Sequence, residues 1–193
     1  MADNTPTIAD PGPLGLAAFA LTTFMLSIFN AGILNAKLTA VVLPLALIYG
    51  GVAQLLAGMW EFKRNNVFGA VAFTSYGAFW IAFFYYVKYV AGGLPASDAN
   101  KATGLFLLAW LIFSVLMFVA SFGTNGILVA IFGLLVITFG FLTIGAFGNS
   151  AGATKIGGYF GIILALAAWY AAMANIANTT FGKPVFPLFP FKK

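Results

Sequence analysis

Apolar residues fall in six long runs, at residues 14–33, 40–62, 67–90, 103–122, 126–147 and 156–178, with short polar breaks between them. Lys37 follows the first run, Lys63, Arg64, Asn65 and Asn66 the second, and a polar stretch over 95–101 the third. Thr124 and Asn125 interrupt the pattern next, then residues 149–155. Each run approaches or exceeds the roughly 20 residues that carry a helix across a hydrocarbon core. A membrane β-barrel would instead alternate apolar and polar positions over about 10 residues per strand, whereas Leu105 to Val119 is almost continuously apolar. The pattern predicts an all-α membrane protein, a six-transmembrane-helix bundle with antiparallel neighbours. Residues 1–13 form an N-terminal tail, 14–178 the helical domain and 179–193 a Pro/Phe-rich C-terminal tail. Pro184, Pro187 and Pro190 predict that this last tail is extended and laid on a neighbour or on the membrane interface.

Within the runs, small and polar residues recur at helical spacing. Gly157, Gly161, Ala165, Ala168 and Ala172 form a flat stripe on the last span, which predicts close backbone packing in the bundle or between subunits. Gly50, Gly51, Ala53, Ala57 and Gly58 do the same for span two, and Gly133, Gly140 and Gly145 for span five. Hydrocarbon penalises unpaired polar groups, so embedded polar side chains should face protein or water. Phe19, Thr23, Ser27 and Asn30 share one face. So do Gly50, Gln54, Ala57 and Glu61; Tyr76 and Trp80, with Thr74 and Ser75 just before; and Leu135, Thr138, Leu142, Gly145 and Asn149. Four mixed stripes of this kind can surround a narrow path, although any single Ser or Thr can equally serve as helix-to-helix glue. Gln54 is the hardest to assign to glue, because a buried amide has up to about four hydrogen-bonding valences to satisfy. Glu61 reads either as a proton relay or as an interfacial ion pair with Arg64.

Composition narrows the chemistry. With 62% hydrophobic and 7% charged residues, the chain has too little polar surface to fold in water alone. Its nine basic residues are scattered through loops and ends, so the net charge of +5 forms no face for nucleic acid. Cysteine and histidine are absent, which removes thiol chemistry, the commonest general base and the usual metal ligands; no metal or cofactor is expected. The first thirteen residues carry Asp3 and Asp10 but no Lys or Arg, the reverse of a signal peptide, and read as a short uncleaved tail. The side holding both termini gathers Lys63, Arg64, Lys183, Lys192 and Lys193, against Lys37, Lys88, Lys101 and Lys155 opposite. That balance favours cytoplasmic termini in the cell (plasma) membrane. No Lys, Arg or Asp stands in the middle of a span, so an anion would be held by hydroxyls, amides and backbone N–H groups, weakly enough to let go.

Asp10-Pro11-Gly12-Pro13-Leu14-Gly15-Leu16 closely resembles the N-P-x-P-L-G-L opening of the acetate uptake transporter family. Longer matches follow at Tyr49 to Gln54, Ala57 to Phe62, Phe68-Gly69 and Phe73 to Trp80, with further likeness at Gly145 to Gly152 and Pro184 to Pro187. The resemblance covers nearly the whole chain. It implies six helices per subunit, a homohexameric ring with a path in each subunit, and passage of acetate, with succinate in some members. It also implies a hydrophobic constriction at Phe19, Tyr76 and Leu135, three positions already on the mixed stripes. Thr22, Thr23, Gln54, Thr74, Ser75 and Asn149 match the family's polar pathway positions, and Asp10, Pro11, Pro13 and Gly15 its pore-mouth motif. Asp10 replaces the usual Asn, and Asn65 and Val67 stand where many members have Gly and Thr. An acid at the mouth would repel anions modestly.

The implied function is passive or proton-coupled movement of small monocarboxylates. A channel for neutral solutes such as urea or ammonia also needs no buried charge, and a membrane scaffold is a further alternative. A membrane enzyme fits least, for want of His, Cys or paired carboxylates in the spans.

Overall fold

The computed structural model describes residues 8–191; Lys192 and Lys193, and the tail before residue 8, lie outside the described residues. Six apolar helices long enough to cross a membrane run in order: α1 Gly12–Asn30, α2 Ala36–Lys63, α3 Val67–Gly93, α4 Ala99–Ser121, α5 Gly126–Phe147 and α6 Ala151–Phe181. Four start two to five residues before the hydrophobic runs, at Gly12, Ala36, Ala99 and Ala151, and those at Val67 and Gly126 start with them. Asn66 accepts from Gly69 N–H at 3.2 Å, Asn125 from Leu128 N–H at 3.1 Å and Ser150 from Ala153 N–H at 3.3 Å, each satisfying a donor that the helix itself leaves unpaired. The α2–α3 turn requires Asn65 at φ 57°. Asn is among the few non-glycine residues that tolerate this region, so the departure from the family's Gly leaves the turn intact.

Helix α2 is not uniform. It opens in a 3-10 segment over Ala36–Val41 and widens to a π segment over Ile48–Ala53. Such widening is frequent at functional sites, and here it ends directly before Gln54.

Backbones meet where side chains vanish. A Cβ added at Gly161 would collide with Ser27 Oγ of α1, and one at Gly157 would press on Leu142 of α5, so these two members of the α6 stripe are used within the subunit; beside the stripe, Gly158 meets the Asn30–Ala31 backbone. Gly77 brings α3 onto the Leu55 backbone, where a Cβ would stand 2.6 Å from its nitrogen. Gly133 faces Phe118 and Gly145 faces Thr154, whereas Gly140 has open space and packs nothing. Between α3 and α4 the join is aromatic: Phe79 stacks on Phe106 at 5.7 Å between centroids and meets Trp110 edge-on at 5.2 Å, arrangements that add to simple burial.

The C-terminal tail folds back over the end of the bundle that carries both termini. Asn178 donates to the Phe186 carbonyl at 2.8 Å and accepts from the Val185 and Phe186 N–H groups. Tyr170 Oη donates to the Pro187 carbonyl at 2.8 Å, and Gly126 N–H to the Phe189 carbonyl at 2.8 Å.

Candidate functional site

Two cavities enter the bundle from opposite ends. The first, about 360 Å³, lies toward the termini, between the starts of α1, α3 and α5 and the end of α2; the second, about 550 Å³, lies toward the opposite face, between α1, α3, α4, α5 and the start of α6. Phe19 and Leu135 line both cavities, and Tyr76 lines the first. The Phe19 and Tyr76 rings meet edge-to-face at 6.0 Å. The three residues, all buried, therefore come together where the two cavities approach each other. The Tyr76 hydroxyl shares a 2.9 Å hydrogen bond with Ser114 of α4, a residue that borders neither cavity.

Of the polar residues singled out in the sequence, Gln54 lines the first cavity, and Thr23, Trp80, Thr138 and Asn149 line the second. Gln54 is 1% exposed and its Oε1 has no protein partner; Thr23 Oγ1 and Trp80 Nε1 are likewise buried and unpartnered. Orphaned buried groups are costly unless water or a ligand pairs with them. Thr138 Oγ1 donates to the Leu134 carbonyl at 2.8 Å, and Asn149 Oδ1 accepts from Asn100 Nδ2 at 3.0 Å.

Thr22, Thr74 and Ser75 border neither cavity. Thr22 donates to the Ala18 carbonyl and sits where a Cβ on Gly50 would come within 2.6 Å of its hydroxyl; Thr74 lies against Gly58. Both side chains pack against α2; Thr22 bonds within its own helix, while Thr74 Oγ1 is buried without a protein partner.

At the mouth of the first cavity, Asp10 forms an ion pair with Arg64 and accepts from Gly12 N–H at 2.9 Å. The charge expected to repel anions is thus neutralised by a neighbour, and the family's Asn is replaced by an acid with a capping role. Pro11, Pro13 and Gly15 do not border the cavity. Pro13 suits the first helical turn, where no N–H is needed. Gly15 lets α1 reach α3, since a Cβ there would stand 2.6 Å from the Phe73 ring. The Glu61–Arg64 ion pair does not form. Glu61 is 1% exposed, borders the first cavity and accepts from Asn66 Nδ2 at 2.9 Å, while Arg64 is committed to Asp10.

Several lining residues escaped sequence reading. Asn175 extends the Gly157-to-Ala172 stripe by one more helical step, a signal that was available; it borders the first cavity and donates to the Ala171 carbonyl at 2.9 Å. Leu188 of the tail also lines that cavity, and Lys155 lines the second. Neither had a local signal, because each reaches its cavity through long-range folding.

Two chambers meeting at an uncharged aromatic and aliphatic trio inside a six-helix bundle define a multi-pass membrane protein of the transporter and channel class. The chain belongs to the GPR1/FUN34/yaaH family, whose pattern matches residues 2–192. It is 42% identical over 176 residues to the Ammonia transport outward protein 2 of Saccharomyces cerevisiae, covering 88% of this chain and 62% of that one. Identity to the Acetate permease A of Emericella nidulans is 40% over 200 residues, covering 95% and 66%. The Succinate-acetate/proton symporter SatP of Escherichia coli K12 is 34% identical over 181 residues, covering 94% and 95%. The solved structure of the bacterial acetate channel SatP superposes with a TM-score of 0.88 at 34% identity, covering 94% of this chain and 99% of that one. The chain spans 62% of the length of two of the yeast relatives that it matches, and 95% of SatP.

Proposed function

We propose that this protein carries acetate and related small monocarboxylates across the cell membrane, channel-like or proton-coupled, with succinate as a further substrate. The observation that carries this reading is the pair of chambers facing opposite ends of the bundle and separated by Phe19, Tyr76 and Leu135, with no ionised group among the three. A small amphiphile with a methyl end passes such a pinch at little cost, and hydrogen-bond donors on either side hold its carboxylate only weakly. In this reading Phe19, Tyr76 and Leu135 form the constriction, Gln54 serves the first chamber, and Thr23, Trp80, Thr138 and Asn149 serve the second. Asp10, Pro11, Pro13 and Gly15 shape the mouth on the terminus side. The names of the fungal permease and of SatP support acetate and succinate as the substrate class.

The subunit further assembles, in this reading, as a homohexameric ring with both termini cytoplasmic. The family resemblance supports the ring, and native mass spectrometry of the detergent-extracted protein tests it. The distribution of Lys and Arg supports the orientation, and protease access to a C-terminal tag in intact cells tests that.

A second reading, conduction of neutral solutes, draws support from the ammonia transport relative. Proteoliposome uptake of labelled acetate across a pH series separates the two. The carboxylate reading expects saturable uptake above empty liposomes, with a current or a coupled proton flux. Uptake that tracks undissociated acid alone, without current or coupled proton movement beyond that of the acid itself, sinks it in favour of the neutral-solute reading.

A further inference from the structure

The two chambers carry different charge. The first is bordered by Glu61 and by the Asp10–Arg64 pair; in the second, Lys155 is the one ionised residue. On the face that the second chamber opens toward stand Lys37, Lys88, Lys101 and Lys155 against a single acid, Asp98. That acid is already engaged: Lys101 Nζ donates to it at 2.8 Å and Ser97 Oγ at 3.1 Å, and these two bonds hold its carboxyl below the usual carboxylate range. Among the described residues the ion pairs are Arg64–Asp10 and Lys101–Asp98, which leaves Lys155 without a carboxylate.

Position and packing argue against a purely stabilising role for this lysine. It sits just past the first turn of α6, near the positive end of a long helix dipole, where a cation gains nothing. Its stem is seated nonetheless. Gly32, at φ 73°, leaves room for it, and a Cβ there would stand 3.0 Å from Lys155 Cε. The end of the side chain, ammonium included, lies against Gly32 in the α1–α2 turn, and the residue is exposed and lines the chamber. Deeper in the same chamber, Thr23 Oγ1 and Trp80 Nε1 are 7% and 2% exposed residues' polar atoms with no protein partner. Both can donate to a carboxylate, and neither is a fixed charge that would trap it.

We infer that Lys155 is an anion-steering residue: it concentrates carboxylate at the mouth of the second chamber and delivers it to the Thr23 and Trp80 donors, setting how fast that face loads. Steering by a single exposed charge acts on the rate of capture, is felt over about one Debye length (about 30 Å at 0.01 M salt, about 3 Å at 1 M) and so depends on ionic strength in a way packing does not. The inference rests on the carboxylate reading above.

The test is initial acetate uptake into proteoliposomes at sub-saturating acetate, at about 0.01 M and about 1 M ionic strength, for the parent protein, Lys155→Gln, Lys155→Glu, Lys155→Arg and, as a charge control, Lys101→Gln. Expected at low salt are a loss of about threefold for Lys155→Gln, a larger loss for Lys155→Glu and parent-like flux for Lys155→Arg, all converging at high salt. The control removes the same charge from a residue that does not line the chamber, so it should move much less. Equal flux of parent and Lys155→Glu at both salts overturns the steering role, and so does a loss that persists unchanged at high salt, which would assign Lys155 to structure. Should the parent itself carry no acetate above empty liposomes, the carboxylate reading fails first, a result distinct from either.

Discussion

At the residue scale, the Tyr76–Ser114 hydrogen bond ties Tyr76 of α3 to α4. Tyr76→Phe keeps the ring against Phe19 but orphans the Ser114 hydroxyl, which is fully buried. A lost buried partner costs about 1–3 kcal/mol, so thermal unfolding in detergent should report that loss for Tyr76→Phe and for Ser114→Ala, while the double variant costs little more than either alone. Acetate flux through Tyr76→Phe should stay within about twofold of the parent, because the hydroxyl is bonded to Ser114, which borders neither cavity; a tenfold drop would place the hydroxyl in the path. Gln54→Ala should behave the opposite way, lowering flux more than it lowers stability, since its amide oxygen has no protein partner to lose. The structure brings Gln54, Thr23 and Trp80 to the chamber walls and leaves Thr22, Thr74 and Ser75 off them. Sequence reading does not separate the two groups, for a physical reason: helical phase says which face a side chain is on, yet a face turned to a neighbouring helix and a face turned to a void look identical in one dimension.

At the element scale, hydropathy was enough to place six helices, since nothing else makes long apolar runs affordable in lipid. The π segment over Ile48–Ala53 had no such signal, as a one-residue widening leaves the apolar pattern unchanged. The use of the α6 stripe was half legible. Small residues announce close approach without naming the partner, which here is α5 at Gly157 and α1 at Gly161 and at the neighbouring Gly158. Gly158→Leu should therefore abolish folded, monodisperse protein on size-exclusion chromatography, because the added side chain meets the Asn30–Ala31 backbone, which has nowhere to move. Gly140→Ala should be tolerated, with open space around its Cβ and a gain of about 1 kcal/mol in helix propensity to offset any lost flexibility. If both substitutions behaved alike, glycine in these helices would be serving general membrane composition and not specific packing.

At the scale of the whole molecule, Phe19 and Leu135 border both chambers and Tyr76 the first; as the proposed constriction, the three would make size selection a property of volume and not of charge. Phe19 is the member best suited to a test, since it borders both chambers and leans on Tyr76. Truncating a buried Phe to Ala usually costs about 3–5 kcal/mol, but a side chain already flanked by voids has fewer contacts to lose, so folded protein should remain. Removing the ring would merge the chambers into one continuous apolar-walled passage. With acetate as the proposed substrate, its flux should rise only a few-fold, whereas butyrate, longer by two methylenes, should gain at least tenfold relative to acetate. Because the pinch carries no ionised group, the widened path should keep the parent's preference between acetate and a neutral solute of similar size, measured side by side in the same proteoliposomes. An unchanged butyrate-to-acetate ratio in folded Phe19→Ala would move the size filter elsewhere, most directly to the mouth of the first chamber, where Leu188 of the returning tail narrows access.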